Sequence, residues 1–157
     1  MKILIRSRKA IEKMSKSPFQ KGTAIISITD ANDSPVNFEN EPDFLLRLAF
    51  DDVDNDVFAD GPVEKLTDEE RLEVEKKHNM FSDEQASEIA SFYDGYKENI
   101  STLICQCEHG QSRSAAVAAA VMEYRSRRGI KIFADDRYFP NKVVFIKVYG
   151  ALINNVK

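Results

Sequence analysis

Short apolar runs and longer amphipathic stretches alternate along the chain. Lys2–Ile5 and Thr23–Ile28 (TAIISI) are brief, β-branched and bounded by polar residues, a strand pattern. Phe44–Phe50 (FLLRLAF) follows Pro42 and runs into acidic residues, and Thr102–Cys107 (TLICQC) makes a fourth strand. Elsewhere the apolar period lengthens. Ser82-Asp-Glu-Gln85 is a capping box, and behind it Ala86, Ile89, Ala90, Tyr93 and Tyr96 recur at helical spacing. They predict an amphipathic helix to about Glu98, with Ile89, Tyr93 and Tyr96 as its core stripe. Thr67-Asp-Glu-Glu70 opens a second, more charged helix through about Lys77, whose few apolar positions place it on the surface. Alanine-rich Ser114–Arg128 predicts a third helix, with Arg125, Arg127 and Arg128 in its last turn and Gly129 at its C-terminal cap. Val143–Ile153 is β-branched enough for a strand, but Pro140-Asn141 offers an N-cap and a helix is the reading taken. Strands alternating with helices predict an α/β fold. Its central, mostly parallel sheet has about four to five strands, with helices on both faces.

Composition narrows the class. The chain has 157 residues, 43% hydrophobic and 31% charged, with a net charge of -4. That suits one globular domain over residues 1–157, and no repeat, low-complexity tract or Gly/Ser/Pro-rich linker divides it. A mildly acidic chain lacks the positive field that nucleic acid requires, so no nucleic-acid partner is expected. No apolar run approaches the ~20 residues that span a bilayer, so no membrane partner is expected either. The start, Met-Lys-Ile-Leu-Ile-Arg-Ser, is broken by charge and does not read as a signal peptide. Two cysteines one residue apart suit a reducing, cytoplasmic compartment rather than a disulfide framework.

The chemistry concentrates in Leu103-Ile-Cys-Gln-Cys107-Glu-His-Gly-Gln-Ser-Arg113-Ser-Ala-Ala. A strand ends at Cys107, a polar loop with one glycine follows, and a helix begins at about Arg113. That arrangement turns main-chain N–H groups inward around an anion. Gly110 supplies the unusual φ or close backbone approach of such a turn. Cys107 at its mouth faces the amides, the helix dipole and Arg113, surroundings that favour a thiolate. The planar fork of Arg113 can grip two oxygens of a tetrahedral dianion. Glu108, His109, Gly110, Gln111 and Ser112 complete the loop. Its amides are expected to face the anion, while the Glu108 and His109 side chains shape the rim.

Cys107-x5-Arg113-Ser114 resembles the signature loop of cysteine-dependent protein tyrosine and dual-specificity phosphatases. CEHGQSRS with its Ala-rich helix is similar to the dual-specificity branch and to related bacterial and phage phosphatases. LLRLAFDDV resembles the strand that delivers the general acid in those proteins, and YFPNKVVFIKVYGALI their C-terminal segment. The resemblance covers roughly residues 44–56 and 82–153. It implies a metal- and cofactor-free phosphatase fold and hydrolysis of phosphoproteins or small phosphate monoesters through a phosphocysteine. Cys107 is then the nucleophile, Arg113 the oxyanion clamp and Ser114 a hydrogen-bond donor to the sulfur. Asp52 is the general acid, with Asp51, Asp54 and Asp56 as alternatives and Asp60 close by. Two features depart from the family: Gln106 stands where a His precedes the nucleophile, and a charged helix around 67–78 is inserted. The inserted helix reads as a lid or substrate-facing element.

Other readings compete with this one. Without turnover, the same loop makes a phosphopeptide-binding module. Cys105 reads as core packing, with a second reading as a resolving thiol in a redox or arsenate-reducing protein. Cys105, Cys107 and His109 are too clustered for structural zinc, and His78 is distant. Asp52-x-Asp54-x-Asp56 starts like a calcium loop but has Val57 where glycine is needed. The cluster Arg125–Arg128 with Lys131 reads as a helix end.

Overall fold

The computed structural model describes residues 1–58 and 66–155. Asp60 lies outside the described residues. Four strands, β1 (Lys2–Ser7), β2 (Thr23–Thr29), β3 (Phe44–Ala49) and β4 (Thr102–Cys107), form one sheet in the order β1-β4-β2-β3. All three pairings are parallel, with Ser7 opposite Cys107 and Ser27 opposite Gln106. The C-terminal ends of the strands therefore lie along one edge, where open parallel sheets place their ligands.

Both faces of the sheet are covered, and β2 shows how. Ala24, Ile26 and Ile28 join the larger core with Leu103, Cys105 and Cys107, whereas Ile25 packs with Ile104 on the other face. Burial on both sides explains why TAIISI is nearly all apolar rather than alternating. Helix α1 (Arg8–Met14), which the apolar pattern did not announce, closes the smaller face through Ile11. Seven residues carry too little periodicity to stand out from the polar segment around them.

The larger face carries α3 (Asp83–Tyr96), α4 (Arg113–Ser126) and α6 (Lys142–Asn154). Every residue of α4 from Arg113 to Val121 is buried, and small side chains allow that depth. Asn141 caps α6 by accepting from the Val144 amide at 3.1 Å, so Val143–Ile153 is helical despite its β-branching. Tertiary burial of Val144, Val148 and Leu152 outweighs strand propensity there.

Two expectations need correction. Tyr96 is 42% exposed and stacks on Phe44 at 4.5 Å, because α3 ends at Tyr96 and its last turn overhangs the edge strand. Helix α4 ends with Arg127, not Gly129, in the left-handed conformation at φ 56°. Gly129 instead lets the chain pass close by: a Cβ there would lie 2.6 Å from the Ala119 carbonyl oxygen. It leads into the short α5 (Ile130–Phe133), also unannounced by the pattern. The charged helix α2 (Asp68–Lys77) has the expected capping box and no buried residue. It is nonetheless docked. Lys147 Nζ donates to Glu75 at 2.9 Å and to the Phe81 carbonyl at 2.9 Å. Leu66, Val74 and Met80 pack with Phe58 and Val143 beside it. Among the described residues no helix is long and apolar enough to cross a membrane.

Candidate active site

The turn from β4 into α4 is held from outside by its carbonyls. The Glu108 oxygen accepts from Arg8 N at 3.1 Å, Gln111 O from Phe139 N at 2.8 Å, and Ser112 O from Asn141 N at 3.3 Å. Gly110 has φ 67°, and a Cβ there would lie 2.7 Å from Ser7 N and 2.8 Å from the Arg6 carbonyl carbon. Only glycine fits both the backbone conformation and the gap. With the carbonyls turned outward, none of the N–H groups of residues 108–115 has a main-chain or side-chain acceptor among the described residues. Ser112, at the helix N-cap position, makes no side-chain cap. The result is a row of unpaired donors at the positive end of α4, which is what an anion requires.

Cys107 is buried at the base of this turn with Ser114 Oγ 3.1 Å from its sulfur. Arg113 is 4% exposed. One guanidinium nitrogen, Nη1, donates to the Phe50 carbonyl at 2.7 Å and forms an ion pair with Asp30 Oδ1, also at 2.7 Å. The guanidinium carbon stands 6.0 Å from the centroid of the Phe50 ring. This grip offsets the cost of burying a cation and fixes the plane of the fork. Arg113 Nε is buried with no partner among the described residues. A charged group bound at one end and unsatisfied at the other is built to receive an anion.

The acidic loop meets this turn through side chains. Ser112 Oγ and Asn141 Nδ2 both donate to Asp52 Oδ1, at 2.8 and 2.9 Å. Asn141 Nδ2 also donates to the Val53 carbonyl at 3.1 Å. Asp51 turns the other way: its carboxylate accepts from Ala31 N at 2.9 Å, and its amide donates to Asn79 O at 2.8 Å. Asp54 accepts from the neighbouring Asn55 amide at 2.6 Å. Of the acidic residues proposed for proton transfer, Asp52 is the one bonded to the Cys107–Arg113 turn among the described residues.

Several residues stand differently from expectation or were missed. His109 is exposed, but Glu108 has a buried Oε2 with no partner among the described residues, because the turn is drawn against the start of α1 at Arg8. Gln106 is fully buried; its Oε1 accepts from Ser27 Oγ at 2.5 Å, so the residue before Cys107 is tied to β2. Cys105 is fully buried, and burial pushes its thiol far above the usual range, consistent with core packing. Asp30 was missed, although an acidic residue just past the C-terminal end of a parallel strand was a readable signal. Asn141 was read only as a helix cap.

No protein-family model and no curated protein matches the chain. Solved structures that share its fold include two human proteins. The human tyrosine phosphatase-like serine/threonine/tyrosine-interacting protein has a TM-score of 0.59 at 17% identity, over 99% of this chain and 93% of that one. Human DUSP28 has a TM-score of 0.54 at 13% identity, over 98% and 92% of the respective chains. The helix-flanked parallel sheet is therefore the fold of dual-specificity phosphatases, as the loop's resemblance implied. At these identities the likeness is one of fold.

Proposed function

We propose that the chain hydrolyses phosphate monoesters, phosphotyrosine first among them and phosphoserine or phosphothreonine second, through a phosphocysteine. The supporting observation is the convergence of a buried sulfur, a row of unpaired amides and an arginine with a free Nε on one turn. The amides of 108–113 and the free side of Arg113 hold the three equatorial oxygens, and Cys107 Sγ attacks phosphorus in line. The S–P bond forms as the ester O–P bond breaks, and Asp52 gives its proton to the departing oxygen. Water then attacks the phosphocysteine, losing a proton to Asp52. The S–P bond breaks with its electron pair on sulfur, where the Ser114 hydroxyl donates a hydrogen bond. Fixed amides and a guanidinium supply the charge stabilisation in both steps.

Turnover of a small aryl phosphate by the wild-type protein, with none by Cys107→Ser, is the expected result. Undiminished turnover by Cys107→Ser would refute the mechanism. The competing reading is capture of phosphopeptides without turnover, and uncharged Gln106 behind the nucleophile favours it. It predicts phosphopeptide binding by the wild-type protein with no phosphate released.

A further inference from the structure

Beside the anion cup lies a groove of about 370 Å³, lined by Asp52, Val53, Asp54, Asp56, Val57, Ser112, Phe139, Pro140 and Asn141, a volume within the range of ligand pockets. Ser112 belongs to the loop that forms the cup, so the two spaces adjoin within one residue. Three of the lining residues carry carboxyl groups, and none of the described lining residues is cationic. Phe139 is 70% exposed there, although its main chain is firmly held by the Gln111 carbonyl. Among the described residues no three acidic or other ligating side chains converge closely enough to hold a metal ion. The carboxyl groups beside an exposed ring therefore suit an organic cation.

Two features with opposite charge requirements thus meet at Ser112. On one side the buried Nε of Arg113 lacks an acceptor among the described residues and calls for an anion. On the other, carboxylates beside an exposed aromatic ring call for a cation that can stack. A guanidinium does both: its fork pairs with carboxylates and its plane lies on a ring. An extended peptide advances about 3.3 Å per residue, so a cation one or two positions from a phosphorylated residue reaches the groove.

We infer that the substrate is a phosphopeptide with an arginine one or two residues from the phosphorylated side chain, and that the Asp54–Asp56 and Phe139 walls receive it. The inference rests on reading the Cys107–Arg113 turn as the phosphate site. Its test is separable from turnover because it measures binding. Matched phosphopeptides with arginine, alanine or glutamate at the flanking positions are titrated into the Cys107→Ser protein by fluorescence anisotropy. The arginine peptide is expected to bind about tenfold tighter than the alanine peptide at low salt, and the glutamate peptide more weakly than either. The arginine-to-alanine ratio should shrink as salt rises, and should fall to about two in Asp54→Asn/Asp56→Asn and in Phe139→Ala. Each ratio is taken within one variant, so a change in overall affinity cancels. Equal affinities for arginine and alanine peptides, or a preference for glutamate, overturn the inference even where the wild-type protein hydrolyses aryl phosphate. An arginine preference in a protein without turnover leaves the groove assigned and removes the catalytic reading alone.

Discussion

The two loops that meet at the candidate site are held in different ways. Residues 107–113 are shaped by the main chain: three outward carbonyls are tied to distant amides, one glycine sits against β1, and a helix starts in register. The acidic loop after β3 is held largely through side chains: Asp52 by those of Ser112 and Asn141, and Asp51 by its own carboxylate, which accepts from Ala31 N and Asn79 Nδ2, beside one main-chain bond to Asn79 O. A main-chain cup tolerates changes in most of its side chains but not in its glycine or its guanidinium. A side-chain-held loop should loosen gradually as individual bonds are removed.

Arg113→Lys gives the largest expected effect. Lysine keeps the charge but cannot hold Asp30 and the Phe50 carbonyl with one edge while offering another to the anion. We expect kcat/KM on an aryl phosphate to fall about a thousandfold, the loss of a preorganised donor. A fall below tenfold would mean that charge, rather than the fork, is what the cup uses.

Gly110→Ala comes next, and it acts on the backbone. The substitution forces a Cβ into Ser7 N and Arg6 at a positive φ, and should cost about 3 kcal/mol in urea unfolding. The protein should also lose the thermal stabilisation that added phosphate is expected to give the wild type. An unchanged unfolding midpoint would show that the turn is less constrained than its geometry indicates.

The acidic loop should respond in steps. Asp52→Asn removes the proposed proton donor and is expected to lower kcat about a hundredfold on an alkyl phosphate, with a smaller loss on esters of acidic phenols. Asn141→Ala leaves the carboxyl in place but drops one of its two donors and the α6 cap. About a tenfold loss in kcat, with about 1 kcal/mol in stability, is expected. Asp51→Asn should lower stability more than turnover. The order Asp52, Asn141, Asp51 in kcat is the result that sharpens the contrast; equal losses for Asp51 and Asp52 would erase it.

This contrast also explains what was legible in the sequence. Cys107, Gly110 and Arg113 lie within seven residues, so the strand, the turn and the helix start can be read together and imply one another. The inner strands β2 and β4 were legible because burial on both faces leaves nearly continuous apolar runs. Asp30 and Asn141 were not assigned, because each acts on a residue more than 80 positions away and nothing local records that distance. Helix α1 escaped notice because one buried side chain, Ile11, suffices to seat it. Gly129 misled for a related reason. It does follow a helix, but the contact that requires a glycine there is with Ala119, inside the helix it follows.

The smallest expected effect comes from the other cysteine, and it separates packing from chemistry on a single strand. Cys105 and Cys107 are two residues apart on β4, point to the same face and are both buried. Only Cys107 has a hydroxyl at its sulfur and unpaired amides beside it; Cys105 lies wholly in the core, where burial disfavours its ionised form. Cys105→Ala therefore removes one buried sulfur and leaves the cup alone. We expect about 1 kcal/mol of lost stability, the scale of a small cavity, with kcat/KM within twofold of the wild type. A redox role for the pair predicts something else: peroxide inactivation that a thiol reductant reverses in the wild type but not in Cys105→Ala. Equal recovery in both proteins assigns Cys105 to packing.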